Sequence, residues 1–264
     1  MNPAQSPQHD PAPAPAVTRV SDTEWQAVAD GLVVGRGDAS RRPDGRLFVS
    51  IDAWHDAAFD RLAAALRADL PGPLHTLADE ADHEAVSAWR RAGFTAGRRE
   101  WVHLVPTDPE TTGLGAVRPP AGVVIVPAGQ AEEGPLRELE RVVHAQIEAG
   151  AGWSAVPAQV LPRPAGTLVV DPSKYAVARL GDRYVGLIRV TPPGRPRIGL
   201  LAVRAELHRR GIARALLAHA LDALHRGGTG TVQAEAAESD GAALALLEGV
   251  GARRTGSILE LVRR

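Results

Sequence analysis

Leu200-Leu201-Ala202-Val203-Arg204-Ala205-Glu206-Leu207-His208-Arg209-Arg210-Gly211-Ile212-Ala213-Arg214-Ala215-Leu216-Leu217 reads as a strand, a tight basic loop and a helix in direct succession. The helix is marked by Ile212, Leu216, Ala220, Leu221 and Leu224, which fall on one face at helical spacing. Such a junction is an anion site. A helix N-terminus offers unpaired amides and about half a positive charge, and a glycine at its mouth lets a diphosphate approach the backbone closely. Five arginines lie between Arg197 and Arg214 against one acid, Glu206, so an anion would meet cations as well as amides. The loop has neither the glycine spacing of a dinucleotide fold nor the Gly-Lys-Ser/Thr ending of a phosphate loop. The plainer alternative is a strand-to-helix turn whose arginines are simply solvated.

Outward from this stretch the elements alternate in type. Val123 to Val126 is a short buried strand, and Leu136, Leu139, Val142, Val143 and Ile147 follow at helical spacing. A proline-containing loop at 151–166 precedes two alternating runs, Leu168 to Leu180 and Tyr184 to Val190, joined by a Gly181-Asp182 turn. Ile198 to Val203 is the strand before the basic loop. Beyond Gly227-Gly228 come a strand, Thr231 to Ala236, a helix over 240–249 and a strand, Ser257 to Val262. The order β, α, β, β, β, α, β, α, β predicts an α+β fold with a mixed, mostly antiparallel sheet flanked by helices.

Prolines punctuate the rest. Residues 1–16 hold five of them and no apolar run of signal-peptide length, which predicts a disordered tail. Pro106 to Pro120 reads as a linker, dividing the chain into 17–105 and 121–264. Offsetting the two parts by 158 positions places Asp82, Ala85 and Gly93 on Asp240, Ala243 and Gly251. It also places Phe59, Leu62, Ala63 and Leu66 on Leu217, Ala220, Leu221 and Leu224, so the parts read as duplicated folds.

Composition removes other classes. The 264 residues contain no cysteine, which excludes a disulfide scaffold, a zinc-thiolate site and a cysteine nucleophile, and suits a reducing cytoplasm. The net charge of −1 gives no global attraction for nucleic acid, and 4% aromatics leave little for base stacking. No apolar stretch is long enough to span a membrane. We therefore expect no nucleic-acid partner, no membrane partner and no metal. Oligomeric state is not legible.

At His208-Arg209-Arg210-Gly211-Ile212-Ala213 the sequence resembles the GCN5-related N-acetyltransferase (GNAT) superfamily, whose acetyl-CoA loop follows Gln/Arg-x-x-Gly-x-Gly/Ala after a strand ending in Val. The likeness continues in Asp240 to Ala252, against the family's Asn-x-x-Ala-x-x-Leu-Tyr-x-x-x-Gly-Phe, and covers essentially all of 121–264. Asp82 to Phe94 fits the same downstream pattern, with Trp89 at the Tyr position. The matching loop positions upstream, Asp52-Ala53-Trp54-His55-Asp56, are acidic and lack glycine. Residues 17–105 are thus expected to be a degenerate, partial GNAT-like copy, with one cofactor site in the chain.

The resemblance implies direct transfer of an acetyl group from acetyl-CoA to a primary amine of a small molecule. Backbone groups of Leu201, Ala202 and Val203 would hold the pantetheine, and His208, Arg209, Arg210, Gly211, Ile212, Ala213 and Arg214 the diphosphate. Glu235 and Asp240 are the expected catalytic bases, with Glu238, Glu132 and Glu133 as further candidate bases. Glu132 and Trp153 are expected at the acceptor. His144 reads as a surface or core residue. The family's proton-donating Tyr position is Leu247, which cannot donate a proton. That departure keeps a noncatalytic acyl-CoA-binding sensor or scaffold in view, and because no residue identifies the acceptor, a protein lysine acetyltransferase is a further alternative.

Overall fold

Asp82 and Asp240 cap their helices in one manner: each has φ near −90° (−82° and −90°), and each carboxylate accepts the amide three residues on, from Ala85 and Ala243. Gly93 and Gly251, which end the two helices, both have positive φ, 88° and 73°. A computed structural model describes residues 14–42, 44–150, 152–153, 156–157, 170–191 and 196–264, and the repeat runs through it.

The first copy comprises β1 (Ala16–Arg19), β2 (Glu24–Ala29), β3 (Leu32–Arg41), β4 (Leu47–Ala53), α1 (Asp56–Asp69), β5 (Leu74–Asp79), α2 (His83–Arg91) and β6 (Thr95–Pro106). A short helix, α3 (Pro109–Thr112), follows. The second copy comprises β7 (Val123–Val126), α4 (Glu133–Ala149), β8 (Tyr175–Leu180), β9 (Arg183–Val190), β10 (Arg197–Val203), α5 (Ile212–Arg226), β11 (Thr231–Ala237), α6 (Gly241–Glu248) and β12 (Arg253–Arg263). Shifted by 158, the span β5–α2–β6 falls on β11–α6–β12 almost residue for residue.

Several boundaries differ from expectation. Ala16 already belongs to β1, so the described end of the tail is strand; residues 1–13 lie outside the described residues. The run 168–180 is strand from Tyr175, after a single turn at Pro172–Lys174 capped by Asp171, and 168–169 lie outside the described residues. The stretch 106–120 is not a bare linker, because Asp108 caps α3 and Leu114 is buried in the core under α5.

All twelve strands form one sheet in the order β1-β2-β3-β4-β5-β12-β6-β11-β10-β9-β8-β7. Pairing is antiparallel except for β4 with β5 and β10 with β11. The copies exchange their last strands: β12 inserts beside β5, and β6 inserts beside β11. The cores follow the exchange. Phe59, Leu62, Leu66 and Trp89 of α1 and α2 pack with Leu259 and Leu261 of β12. Leu216, Leu217 and Leu221 of α5 pack with Val105 of β6. Each fully buried leucine contributes about 1.5–3 kcal/mol, so each half stabilises the other.

These two cores share one face of the sheet. On the opposite face α4 packs Leu136, Leu139 and Val143 against Val177, Leu187 and Leu200. The first copy has no counterpart of α4, since β1 passes to β2 through residues 20–23. There the side chains of that face, among them Arg36, Asp38, Ser50 and Asp52, are exposed. Among the described residues, no helix is long and apolar enough to cross a membrane.

Candidate active site

The parallel strands β10 and β11 are paired at two positions, Arg197 with Gln233 and Ile198 with Ala234. Beyond them the strands part. Leu201, Ala202 and Val203 remain paired to Ile188, Leu187 and Gly186 of β9, which leaves their other backbone edge facing the gap. At the mouth of this gap a turn at Ala205–Leu207 leads to Arg209 at φ 61° and Gly211 at φ 83°. His208 donates a ring N–H to the Val203 carbonyl at 2.8 Å, fixing the loop to the end of the strand. The first backbone bond of α5 runs from the Ala215 amide to the Gly211 carbonyl at 3.0 Å, so the amides before it are the orphan donors of a helix start.

A side chain at Gly211 would meet nothing closer than Pro120 Cγ at 3.9 Å, and Arg209, Arg210 and Arg214 are exposed around it. A diphosphate therefore fits here: space, amides and cations coincide, and the open edge of β10 continues from them into the gap. The first copy shares the gap but not the loop. β4 and β5 also pair at two positions. There Trp54 and His55 alone separate β4 from α1, where residues 204–211 separate β10 from α5. His55 caps α1, its Nδ1 accepting the Ala58 amide at 3.2 Å, and exposed Asp52 and Asp56 flank it. The matching window thus lacks the cradle as well as its charge.

The candidate bases are dispersed. Glu235 lies on the α4 face, one residue beyond the last paired position of β11. Its carboxylate is buried, 3.3 Å from Arg197 Nε, and accepts Gln233 Nε2 at 2.6 Å. Glu238 accepts from Arg99 at 3.1 Å on the helical face of the sheet, and Asp240 is the α6 cap. Glu132 is exposed at the start of α4; its side chain makes no capping bond, while its amide donates to the Tyr184 hydroxyl at 3.0 Å. Glu133 pairs with Arg137. Trp153 is 9% exposed in the α4 core, edge-on to His144, with Nε1 donating to Glu148 Oε1 at 3.4 Å. Leu247 is buried against α5, so the position of the family's Tyr points into the core.

The sequence reading did not anticipate a band of buried charge on the α4 face, carried across the exchanged strands. Glu260 of β12 accepts from Arg46 Nη1 at 3.0 Å and Arg98 Nε at 2.7 Å, and His75 Nδ1 lies 2.8 Å from it. Burial raises the Glu260 carboxyl, but Arg98, Arg46 and His75 together hold it below the usual carboxylate range. Arg98 Nη2 also reaches Glu100 Oε1 at 2.7 Å, and Nη1 donates to the Val156 carbonyl at 2.7 Å. Under α4, Tyr175 donates to the buried Glu140; burial and that carboxylate push the phenol up to about 12. The opposite charges of Arg98 and Glu100, at alternate positions of β6, look like a solvated strand face. They become interior only because β6 is inserted between β11 and β12.

A strand, a left-handed cationic loop and a helix at the edge of a splayed parallel pair together make a place for a phosphate-bearing ligand. Residues 143–252 match the acetyltransferase (GNAT) family model. Among solved structures, a GCN5-related N-acetyltransferase from Sphaerobacter thermophilus is 18% identical, with 93% of this chain and 82% of that one covered and a TM-score of 0.64. A tandem GNAT protein from the clavulanic acid biosynthesis pathway is 15% identical, with 96% and 84% covered and a TM-score of 0.64. A GCN5-related N-acetyltransferase from Kribbella flavida is 14% identical, with 94% and 89% covered and a TM-score of 0.57. No curated protein sequence matches the chain. The fold is the mixed GNAT-like sheet with flanking helices, in a tandem arrangement.

Proposed function

We propose that the protein is an acetyl-CoA-dependent N-acetyltransferase that transfers acetyl directly to a primary amine of a small molecule. The observation that carries this reading is the meeting of Gly211, open and left-handed at the start of α5, with the gap between β10 and β11. In this reading the amides and cations of His208 to Arg214 hold the diphosphate, and the free edge of Leu201 to Val203 holds the pantetheine. The thioester supplies an activated acetyl group. The amine arrives from the α4 face, because the opposite face is filled by Ile212, Leu216, Leu247 and Val250. Cover of that face by α4 supports a small acceptor. The first copy, without the loop, supports the sheet and borders the acceptor side. Zero cysteines suit a cytoplasmic enzyme.

A second reading, an acyl-CoA binder without turnover, is favoured by one observation: Leu247, at the position of the family's Tyr, packs in the core. A thiolate of pKa near 8.5 leaves without full protonation, so this loss slows transfer rather than forbidding it. Thiol release from acetyl-CoA, measured with spermidine, glucosamine, tyramine and lysine as acceptors, separates the two. Turnover with any of them supports the enzyme; acetyl-CoA binding without release supports the binder.

A further inference from the structure

We infer that the second copy holds a small-molecule site separate from the acetyl-CoA loop, built for a planar aromatic without positive charge, in the place that the first copy fills with the Trp25 side chain. It stands whether or not the chain transfers acetyl groups.

The two copies match residue for residue here. A Cβ on Gly35 of β3 would meet Leu62 Cδ1 of α1 at 3.0 Å, and one on Gly186 of β9 would meet Leu216 Cδ1 of α5 at 3.1 Å. Both hairpins shift register at the same point, between Ala27 and Val28 and between Ala178 and Arg179. On the strands before those shifts, Trp25 pairs with Gly37 and Ala176 pairs with Ile188, so Trp25 and Ala176 are counterparts. One and two turns beyond the matched leucines, Leu66 and Asp69 of α1 correspond to Ala220 and Ala223 of α5.

In the first copy these places are full. Trp25 is 1% exposed, packs in one core with Leu66, and donates its ring N–H to Asp69 at 2.7 Å. In the second copy three alanines stand there, and a cavity of about 1040 Å³ opens, lined by Ala176, Val190, Ala220, Ala223 and Leu224 among others. That volume is at the upper end of small-molecule sites. The exchange of Trp25 for Ala176 removes a flat apolar ring together with the carboxylate that latched it, so a flat apolar ring is what the place accepts.

Charge narrows the class. Lys174 and Arg226 line the cavity, and among the described residues no carboxylate does. Asp171 and Asp222 lie 3.3 and 2.9 Å from these cations, but at the surface, where such pairs are weak. Burial lowers the pKa of His219, which also lines the cavity, so the ring is uncharged at neutral pH. A cationic ligand is therefore disfavoured. The cavity lies at the end of α5 remote from Gly211 and on the sheet face opposite α4, so neither acetyl-CoA nor an amine in the gap occupies it.

The test titrates indole, indole-3-acetate and tryptamine into the full chain with labelled Ile, Leu and Val methyl groups. Indole and indole-3-acetate should shift the Val190 and Leu224 methyls saturably, with dissociation constants at or below about 1 mM, and leave Ile212 beside the acetyl-CoA loop unmoved. Tryptamine should bind at least about fivefold more weakly than indole-3-acetate. Ala176→Trp, which copies the first half, should weaken indole binding at least about tenfold with acetyl-CoA affinity within about twofold; should it not fold, Ala220→Leu, which copies Leu66, takes its place. No saturable shift with indole or indole-3-acetate overturns the inference, as does unchanged indole affinity in the folded variant. Tryptamine binding as tightly as indole-3-acetate overturns the stated ligand class.

Discussion

Glu80 and Glu238, 158 positions apart, close on the same guanidinium: Arg99 donates Nε and Nη2 to Glu80 at 2.8 Å each and Nη1 to Glu238 at 3.1 Å. Ser257, which takes the place of Arg99 in the second copy, donates its hydroxyl to Glu80 at 2.6 Å. The clamp spans the exchanged strands and makes a pH prediction. The Arg99 and Ser257 hydrogen bonds depress the Glu80 pKa from 4.5 to about 2. A depressed carboxylate contributes stability that is complete above the unfolded value and lost as pH falls through the folded one. The urea midpoint of Glu80→Gln should therefore lie below that of the wild type at pH 6, and the difference should close toward pH 2. A difference independent of pH would contradict the clamp.

Strand exchange also predicts a single cooperative unit. Residues 118–264 alone lack β6 and Leu114, which complete the core under α5. Calorimetry should show one transition for the whole chain and none for that fragment, and mixing with residues 14–117 should restore it. Independent melting of the fragment would disprove mutual completion.

Leu247→Tyr is expected to cost about 1–3 kcal/mol in denaturant titrations, because a larger polar side chain must enter a filled core. Turnover should not rise. A faster enzyme would show that the side chain reaches the thioester after all.

Tyr175→Phe leaves Glu140 buried without its donor and should cost about 1–3 kcal/mol. Tyr175 holds its proton up to about pH 12 in the fold, against about 10 for a free phenol, so it contributes stability below pH 10 that is lost as pH rises toward 12. Absorbance titration at 295 nm should lose this late transition in the variant.

The second half was legible because its signals are local. The strand before Gly211, the helical stripe from Ile212 and the Asp240 cap all declare themselves within a few residues. The repeat was legible for the same reason, since Asp82 and Gly93 do in the first copy what Asp240 and Gly251 do in the second. What stayed hidden depends on distant pairing. Nothing near Glu100 signals burial, because the strands that bury it, β11 and β12, are more than 130 positions away. The six-residue shortening between β4 and α1 was masked by a fixed offset, which matched Ala53, a strand residue, to Gly211, a loop residue. Leu247 and Trp153 carry side chains that suit a cleft or a core equally well, and packing decided for the core.

Calorimetric titration of acetyl-CoA into the wild type, Gly211→Val and Ala53→Val decides whether the chain holds one cofactor site, at Gly211. At φ 83° a branched side chain strains the backbone by about 1–3 kcal/mol and occupies the open volume in front of the α5 amides. One site per chain is expected in the wild type and in Ala53→Val, and no binding in a still-folded Gly211→Val. Unchanged affinity in Gly211→Val, or two equivalent sites in the wild type, would contradict it.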